Sequence, residues 1–424
     1  MWSGEWGMKT KLKTNVVRIA FAALVIACGN AGAVAQEPVP PSSSAIKKPA
    51  PVATKPAVRK FIAEDLPSAK VPHKITMLTL GGKPVDWRTL DFATLPVVGG
   101  EHAVVSAPDA EWGFRLHNYL IHHDGRYWCM WSHGPKVEDW PTQHVRYAVS
   151  DDGLQWSEAR PIMQPPADPY AFIARGFWLR DGELLALAAR YKGHGAFGVD
   201  KELTLEAYVW DKSADAWKHK GRVYDNAINN FAPQKLSSGP WMTTRRDARF
   251  NCTMLVGGVK ALDDWKAFPV SGYRNPETKF APDEPIFWEQ PDGRLVAAFR
   301  DNGGSMRLFQ ATSNDQGRTW TKPELTNYPN ATSKVYSLRL AGDGPLAMIG
   351  NANPKIGRRE LYIGLSDDGL TFTRLVRLDI PSPRATTFQY PHAIERDGHL
   401  LIAFSNKKTQ IEVLKVPVDR LKVQ

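Results

Sequence analysis

In the stretch DEPIFWEQPDGRLVAAFRDNG, residues 283–303, an acid and an arginine bracket one turn: Glu284 stands nine residues before Gly293 and Arg300 seven after it. Asp-Gly between two apolar runs favours a tight hairpin, because both turn residues tolerate positive φ. The fold-back then returns both charges to one end. A carboxylate facing a guanidinium there is either an inter-strand ion pair or half of a site for an anionic ligand.

The same count repeats along the chain. Turn glycines in similar settings are Gly125, Gly182, Gly239, Gly344 and Gly398, recurring about every 55 residues. Eight or nine residues before the turn glycine stand His117, Asn230, Glu284, Tyr336 and Tyr390. Near seven after it stand Ser132 and His133, Arg190 and Tyr191, Arg245 and Arg246, Arg300, and Asn351. Six copies of one β-unit predict an all-β, six-bladed β-propeller over residues 113–424. Its inner strands would bring these side chains around one mouth. Residues 61–112 are expected to form an N-terminal extension that includes a closing strand.

A second motif, S-x-D-x-G-x-x-W/F with small variations, occurs at Ser150–Trp156, Ser313–Trp320 and Ser366–Phe372. Its aspartates are expected to cap backbone N–H groups of a turn and its aromatics to pack between sheets. Strand counting puts the motif on the face opposite Glu284 and Arg300, so it marks the fold and carries no chemistry.

These motifs resemble the Asp-boxes (BNR repeats) of the bacterial sialidase (neuraminidase) superfamily, and residues 280–410 resemble that superfamily further. A glutamate opens a hairpin that an arginine ends, the run IGNANPKIGRRELYIGLSDDGLTF follows, and QYPHAIERDGHLLIAF begins a last hairpin with a tyrosine. The resemblance implies Tyr390 as nucleophile with Glu284 as its base, and Arg300 with Arg358 or Arg359 as substrate arginines. Toward the N-terminus, FRLHNYLIHHDG offers Arg115, and Asp139 follows 24 residues later as a general acid, although the family's R-I-P motif is absent. His117 is the alternative acid. Arg245, Arg246, Tyr336 and Asn351 complete the expected substrate-binding ring.

The chemistry is coherent. A tyrosine with an ordinary pKa of about 10 is a poor nucleophile unless a carboxylate takes its proton. Sialidases are the tyrosine exception among retaining glycosidases. Arginines would hold a substrate carboxylate bidentately. The expectation is an exported exo-glycosidase that releases a terminal acidic sugar. Two other classes stay open: a polysaccharide lyase on a propeller using His117, His133, Tyr191 and Arg245 on a uronate polymer, and a carbohydrate-binding propeller without catalysis.

The chain has 424 residues, 43% of them hydrophobic, with 15 Trp, 17 Phe and 12 Tyr, as a well-packed globular protein does. The formal charge of +10 suits an anionic polysaccharide or acidic sugar. Nucleic acid is a poor match, since no basic-aromatic motif accompanies the charge. Residues 1–35 read as a signal peptide: Lys9, Lys11, Lys13 and Arg18 precede IAFAALVIA, and Ala33-Val34-Ala35 follows. A second reading makes Cys28, in Val25-Ile26-Ala27-Cys28, the lipid anchor of an outer-membrane lipoprotein. Either way the protein is exported, periplasmic or secreted. The apolar run is too short for a stable transmembrane helix. Residues 36–60 read as a Pro/Ala/Lys linker. Cys129 and Cys252 fall in separate apolar runs and suit buried thiols at least as well as a disulfide. No CxxC or HExxH pattern calls for a metal, and no cofactor is expected.

Overall fold

The computed structural model describes residues 67–272, 280–381 and 386–421. The leader, linker and Cys28 lie outside the described residues. Short apolar strands broken by Gly, Asp and Pro form six antiparallel sheets arranged as the blades of a propeller. Blade 1 spans residues 114–161, blade 2 170–225, blade 3 234–271, blade 4 282–329, blade 5 336–379 and blade 6 388–417.

The N-terminal segment completes the ring. Strand Glu101–Ser106 lies antiparallel to Gln410–Pro417 as the fourth strand of blade 6. Just before it, Val97–Gly99 adds a parallel fifth strand to blade 5. Upstream, Asn327 Oδ1 accepts the N–H groups of Met77 and Leu78 at 2.8 and 2.9 Å, pinning residues 75–78 to blade 4.

The hairpin turns match the expected positions in five blades, where Gly125, Gly182, Gly239, Gly293 and Gly398 all have positive φ. In blade 5 the turn sits earlier, on Gly342 and Asp343, with φ of 62° and 53°. Small residues such as Ala188, Ala297 and Ala403 are fully buried on the second strands, where neighbouring blades press together. Cys129 and Cys252 are buried free thiols.

The three Asp-boxes close the third strands of blades 1, 4 and 5. In the first, Asp152 Oδ1 accepts the N–H groups of Leu154 and Gln155 at 2.8 and 2.7 Å. Asp315 and Asp368 cap their turns in the same way. A β-carbon on Gly317 would meet Met242 Sδ at 2.6 Å, so this glycine lets the blade 4 box approach blade 3. The boxes lie at the Asp-Gly end: Ser313 pairs with Leu295, whereas Asp283 pairs with Arg300 at the other end.

Candidate active site

Four inner strands carry a β-bulge near their mouth end. The register slips between Leu116 and Tyr119, between Ala174 and Gly176 opposite Leu187/Ala188, between Asp283 and Ile286, and between Gln389 and His392. Three of these bulges carry a non-glycine residue at positive φ: His117 at 54°, Glu284 at 43° and Tyr390 at 58°. Such conformations cost about 1–3 kcal/mol each and persist where the surroundings over-determine them. A bulge also re-aims a side chain that strict alternation would send into a blade. Pro285 and Pro391 follow two of the bulged residues, and proline has no N–H to leave unpaired there.

Asparagines from adjoining blades hold the carbonyls that the bulges release. Asn118 Nδ2 donates to Tyr390 O at 3.0 Å, and Asn229 Nδ2 to Arg175 O at 3.0 Å. Asn230 Nδ2 donates to Glu284 O at 3.0 Å and Pro285 O at 2.9 Å.

Glu284 and Tyr390 meet at the centre. Burial would push the Glu284 carboxyl up, but Arg300 first, then Arg246 and Lys334, with the Tyr390 phenol nearby, hold it well below the usual carboxylate range. Arg300 Nη1 lies 2.6 Å from Glu284 Oε2 and 3.6 Å from Asp283 Oδ2. Arg246 Nη1 pairs with Asp283 Oδ1, and its guanidinium lies 4.9 Å from the Phe197 ring. Burial, then Glu284 and Glu138, raise the Tyr390 phenol well above 10, while Arg300 and Arg358 oppose them. The opening hairpin therefore holds an ion pair that also belongs to a cluster of chemically capable groups.

His117 sits edge-on to Tyr390, with ring centroids 4.9 Å apart. Burial lowers its pKa to about 4, so it is neutral near pH 7. Ser132 Oγ accepts the Ala174 N–H at 2.9 Å and lies 3.1 Å from His117 Nδ1. The serine proton can then go to Nδ1, leaving Nε2–H to face Glu138 Oε1 at 3.3 Å. Burial opposes ionisation of Glu138, but His117 and Lys408 bring its pKa to about 2. Next to it, Asp139 is pushed up, by burial first and by Glu138 second. Tyr191 Oη donates to Asp139 Oδ1 at 2.7 Å. Two adjacent carboxyls thus have opposite tendencies, the pattern that separates an acid from a permanent charge.

The other expected residues divide. Arg358 is in the cluster: Nη2 donates to Thr332 O at 2.5 Å, and its charge is felt by Tyr390. Arg359 is exposed beside it. Arg115 is buried but turned elsewhere, with Nε donating to Ser106 Oγ at 2.9 Å and Nη2 to Asp109 Oδ2 at 2.6 Å. Arg245 donates to Asn226 O at 3.0 Å on the strand face opposite Arg246. Asn351 Nδ2 stitches the carbonyls of Glu360 and Phe388 together. Tyr336 packs tilted against His392, with ring centroids 4.2 Å apart, and against Phe231 at 4.9 Å, as packing of the channel.

Of the four residues of the lyase reading, His117 and Tyr191 share the adjacent carboxyls Glu138 and Asp139, while His133 and Arg245 stand apart from them. His133 stacks on Trp112 at 5.3 Å with no hydrogen-bond partner for its ring nitrogens, Tyr191 is held by Asp139, and Arg245 faces away.

Sequence spacing missed Glu138, Asp283, Arg175 and Lys334. Arg175 is buried at the blade 2 bulge, with Nη1 donating to Asn229 O at 3.3 Å. Lys334 Nζ donates to Tyr119 Oη at 2.9 Å and Asn230 O at 3.0 Å, and lies 5.2 Å from the Tyr390 ring centroid. Burial, with Arg175 and Arg246 nearby, lowers its pKa well below 10.5 despite Glu284. Among the described residues no cluster of three or more His, Cys, Asp or Glu could hold a metal. No described helix is long and apolar enough to cross a membrane.

Residues 262–402 match the BNR repeat-like domain. No curated protein matches the chain in sequence. Among solved structures, a protein of unknown function from Dyadobacter fermentans is 16% identical, with a TM-score of 0.59, over 75% of this chain and 98% of that one. Trypanosoma rangeli sialidase, as its covalent intermediate with 2,3-difluorosialic acid, is 14% identical with a TM-score of 0.58, over 76% of this chain and 58% of that one. The NanB sialidase of Streptococcus pneumoniae is 14% identical with a TM-score of 0.56, over 80% of this chain and 73% of that one. This chain therefore spans less than two thirds of the Trypanosoma enzyme, and at such identities the likeness is one of fold. The chain is a six-bladed β-propeller of sialidase type, part of which, residues 262–402, matches the BNR repeat-like domain.

Proposed function

We propose that the protein is an exported glycoside hydrolase of exo-sialidase type that releases a terminal acidic sugar. The observation that carries this reading is that Tyr390 and Glu284, each at positive φ in the bulge of its inner strand, are buried in one cluster with Arg300, Arg246 and Arg358. Tyr390 Oη attacks the anomeric carbon, its proton passes to Glu284, and the glycosidic C–O bond breaks as Asp139 protonates the leaving oxygen. Water then cleaves the glycosyl–tyrosine bond, with Asp139 as base and the tyrosine recovering its proton. An uncharged phenol attacks without repelling the substrate carboxylate.

Glu284 is a weak base while the Arg300 and Arg246 guanidiniums face it. A substrate carboxylate on Arg300 and Arg358 would offset part of that charge and raise the glutamate's basicity. Substrate binding then readies its own nucleophile, and carboxylate recognition is coupled to catalysis through Glu284.

The test is a panel of acidic glycans and aryl glycosides offered to the purified chain. Release of a terminal acidic monosaccharide with retained anomeric configuration is expected, and Tyr390→Phe should abolish it. An unsaturated uronate product, seen by its ultraviolet absorbance, would transfer the site to lyase chemistry. Binding without turnover of any glycan would leave a carbohydrate-binding propeller.

A further inference from the structure

Away from the central mouth, a cleft of about 620 Å³ opens between blades 2 and 3. That lies within the roughly 300–1,000 Å³ of sites that enclose small ligands. Its charges are unevenly matched. Glu202 is tied to Lys192 and Tyr170, and Asp225 to Arg222. Among the described residues, Arg190, Lys201 and Arg249 make no close ion pair, although the charge of Arg190 reaches Glu202, against one acid without a close ion pair, Asp200. The Arg190 guanidinium lies 3.8 Å from the Tyr170 ring centroid. Its flat face is occupied, and its edge donors remain for a ligand.

The cleft's position relative to Asp139 gives it meaning. Strand Glu183–Lys192 sends Tyr191 to Asp139 and Arg190, one residue earlier, to the opposite face. The loop that follows does the same. A β-carbon on Gly195 would lie 3.8 Å from Asp139 Oδ2, while Gly198 to Leu203 line the cleft. The candidate acid and the cleft are therefore two sides of one loop, and the acid marks where the leaving group departs.

We propose that this cleft is a subsite for acidic sugar residues of the leaving group, held by Arg190, Lys201 and Arg249 through their carboxylates or sulfates. The assignment to the leaving group rests on the hydrolase reading; the ligand class rests on the cleft alone. The test uses the Tyr390→Phe protein, so that nothing turns over, titrated calorimetrically with an oligogalacturonate tetrasaccharide, a heparin-derived tetrasaccharide and neutral cellotetraose. At least one acidic chain should bind and the neutral one should not; binding of the oligogalacturonate shows that carboxylates suffice, and binding of the heparin fragment alone shows that sulfate is needed. Adding Arg190→Ala and Arg249→Ala should weaken binding by about tenfold or more. Arg249→Glu, at an exposed position, is a second variant with little risk to folding. Equal binding by the arginine variants, equal binding of cellotetraose, or no binding of either acidic chain overturns the proposal. With Tyr390 intact, the Arg249→Glu variant should hydrolyse a small aryl glycoside at the wild-type rate, and a loss there would move Arg249 into the central site. If the wild type hydrolyses no glycoside yet arginine-dependent binding persists, the hydrolase reading fails while the cleft remains an acidic-sugar site.

Discussion

The Tyr390 hydroxyl and the Glu284 carboxylate are the smallest unit that could do this chemistry, and such units are non-additive. Tyr390→Phe and Glu284→Gln should each remove most hydrolysis, and the double variant should be scarcely slower than the worse single one. Multiplying losses in kcat/KM would instead show two separate roles. Arg300→Lys keeps the charge beside Glu284 but loses the planar fork, so kcat/KM should fall by about tenfold or more. Unchanged kinetics in a folded Arg300→Lys protein would put that arginine outside the site. Glu138→Gln tests the neighbouring carboxyl pair. It removes the like charge that helps burial raise Asp139. The acid must be protonated to work, so the alkaline limb of the kcat/KM profile should move to lower pH; an unmoved limb would assign the acid role elsewhere. Glu284, Arg300 and Tyr390 were legible because each keeps a fixed offset from its turn glycine. An offset gives height along a strand but not the face, which is why Arg245 looked as good as Arg246 although it points away. Arg115 is likewise at a suitable height yet is bound to Ser106 and Asp109. Lys334 precedes its first strand and has no periodic mark at all.

The element that converts strand position into site geometry is the bulged inner strand with its asparagine clamp. Arg175 stands seven residues before Gly182, one short of the eight or nine that His117, Glu284 and Tyr390 keep, so the fixed offset passes it over even though Gly176 beside it marks the irregularity. Asn118 touches no reacting group in this scheme; it holds the Tyr390 carbonyl from blade 1. Asn118→Ala leaves that buried acceptor unpaired, which should cost about 1–3 kcal/mol in urea unfolding. It should also reduce kcat, because the strained Tyr390 backbone is no longer over-determined. Full kcat with reduced stability would mean that the bulge holds itself. Asp152→Ala is the counter-case at the opposite end of blade 1. It loses two turn N–H contacts far from Glu284, so it should lower the melting temperature while KM and kcat stay as they were. The Asp-boxes were readable in full because their capping is local in sequence. The asparagine clamps were not, because each joins residues of two different blades.

For the whole molecule, the repeat of turn glycines was enough to count six blades, because each hairpin is a local event. The closing strand was expected within residues 61–112 but could not be placed there by periodicity, since Glu101–Ser106 pairs with a strand more than 300 residues away. Packing blades around one axis also buries histidines without charge. Burial first, with positive neighbours adding to it, lowers His117 to about 4, His133 to about 3, His144 to about 4 and His392 to about 3. In the unfolded chain each would take a proton below about pH 6.5, whereas the folded protein resists until near its own lowered value. The unfolded state then binds more protons, so stability must fall as pH drops from about 6.5 toward 4, by at most about 1.4 kcal/mol per pH unit for each histidine. Asp139, with its raised pKa, acts in the opposite sense, but it is one group against four. Melting temperatures across this range should decline steadily with acidification. His133 is the residue to remove, because its ring nitrogens have no hydrogen-bond partner and its ring stacks on Trp112. His133→Phe keeps the stacking and deletes the proton site. The variant should match or exceed the wild type at pH 7 and gain on it as the pH falls to 5; a melting profile parallel to the wild type's would show that His133 takes no part in the acid sensitivity.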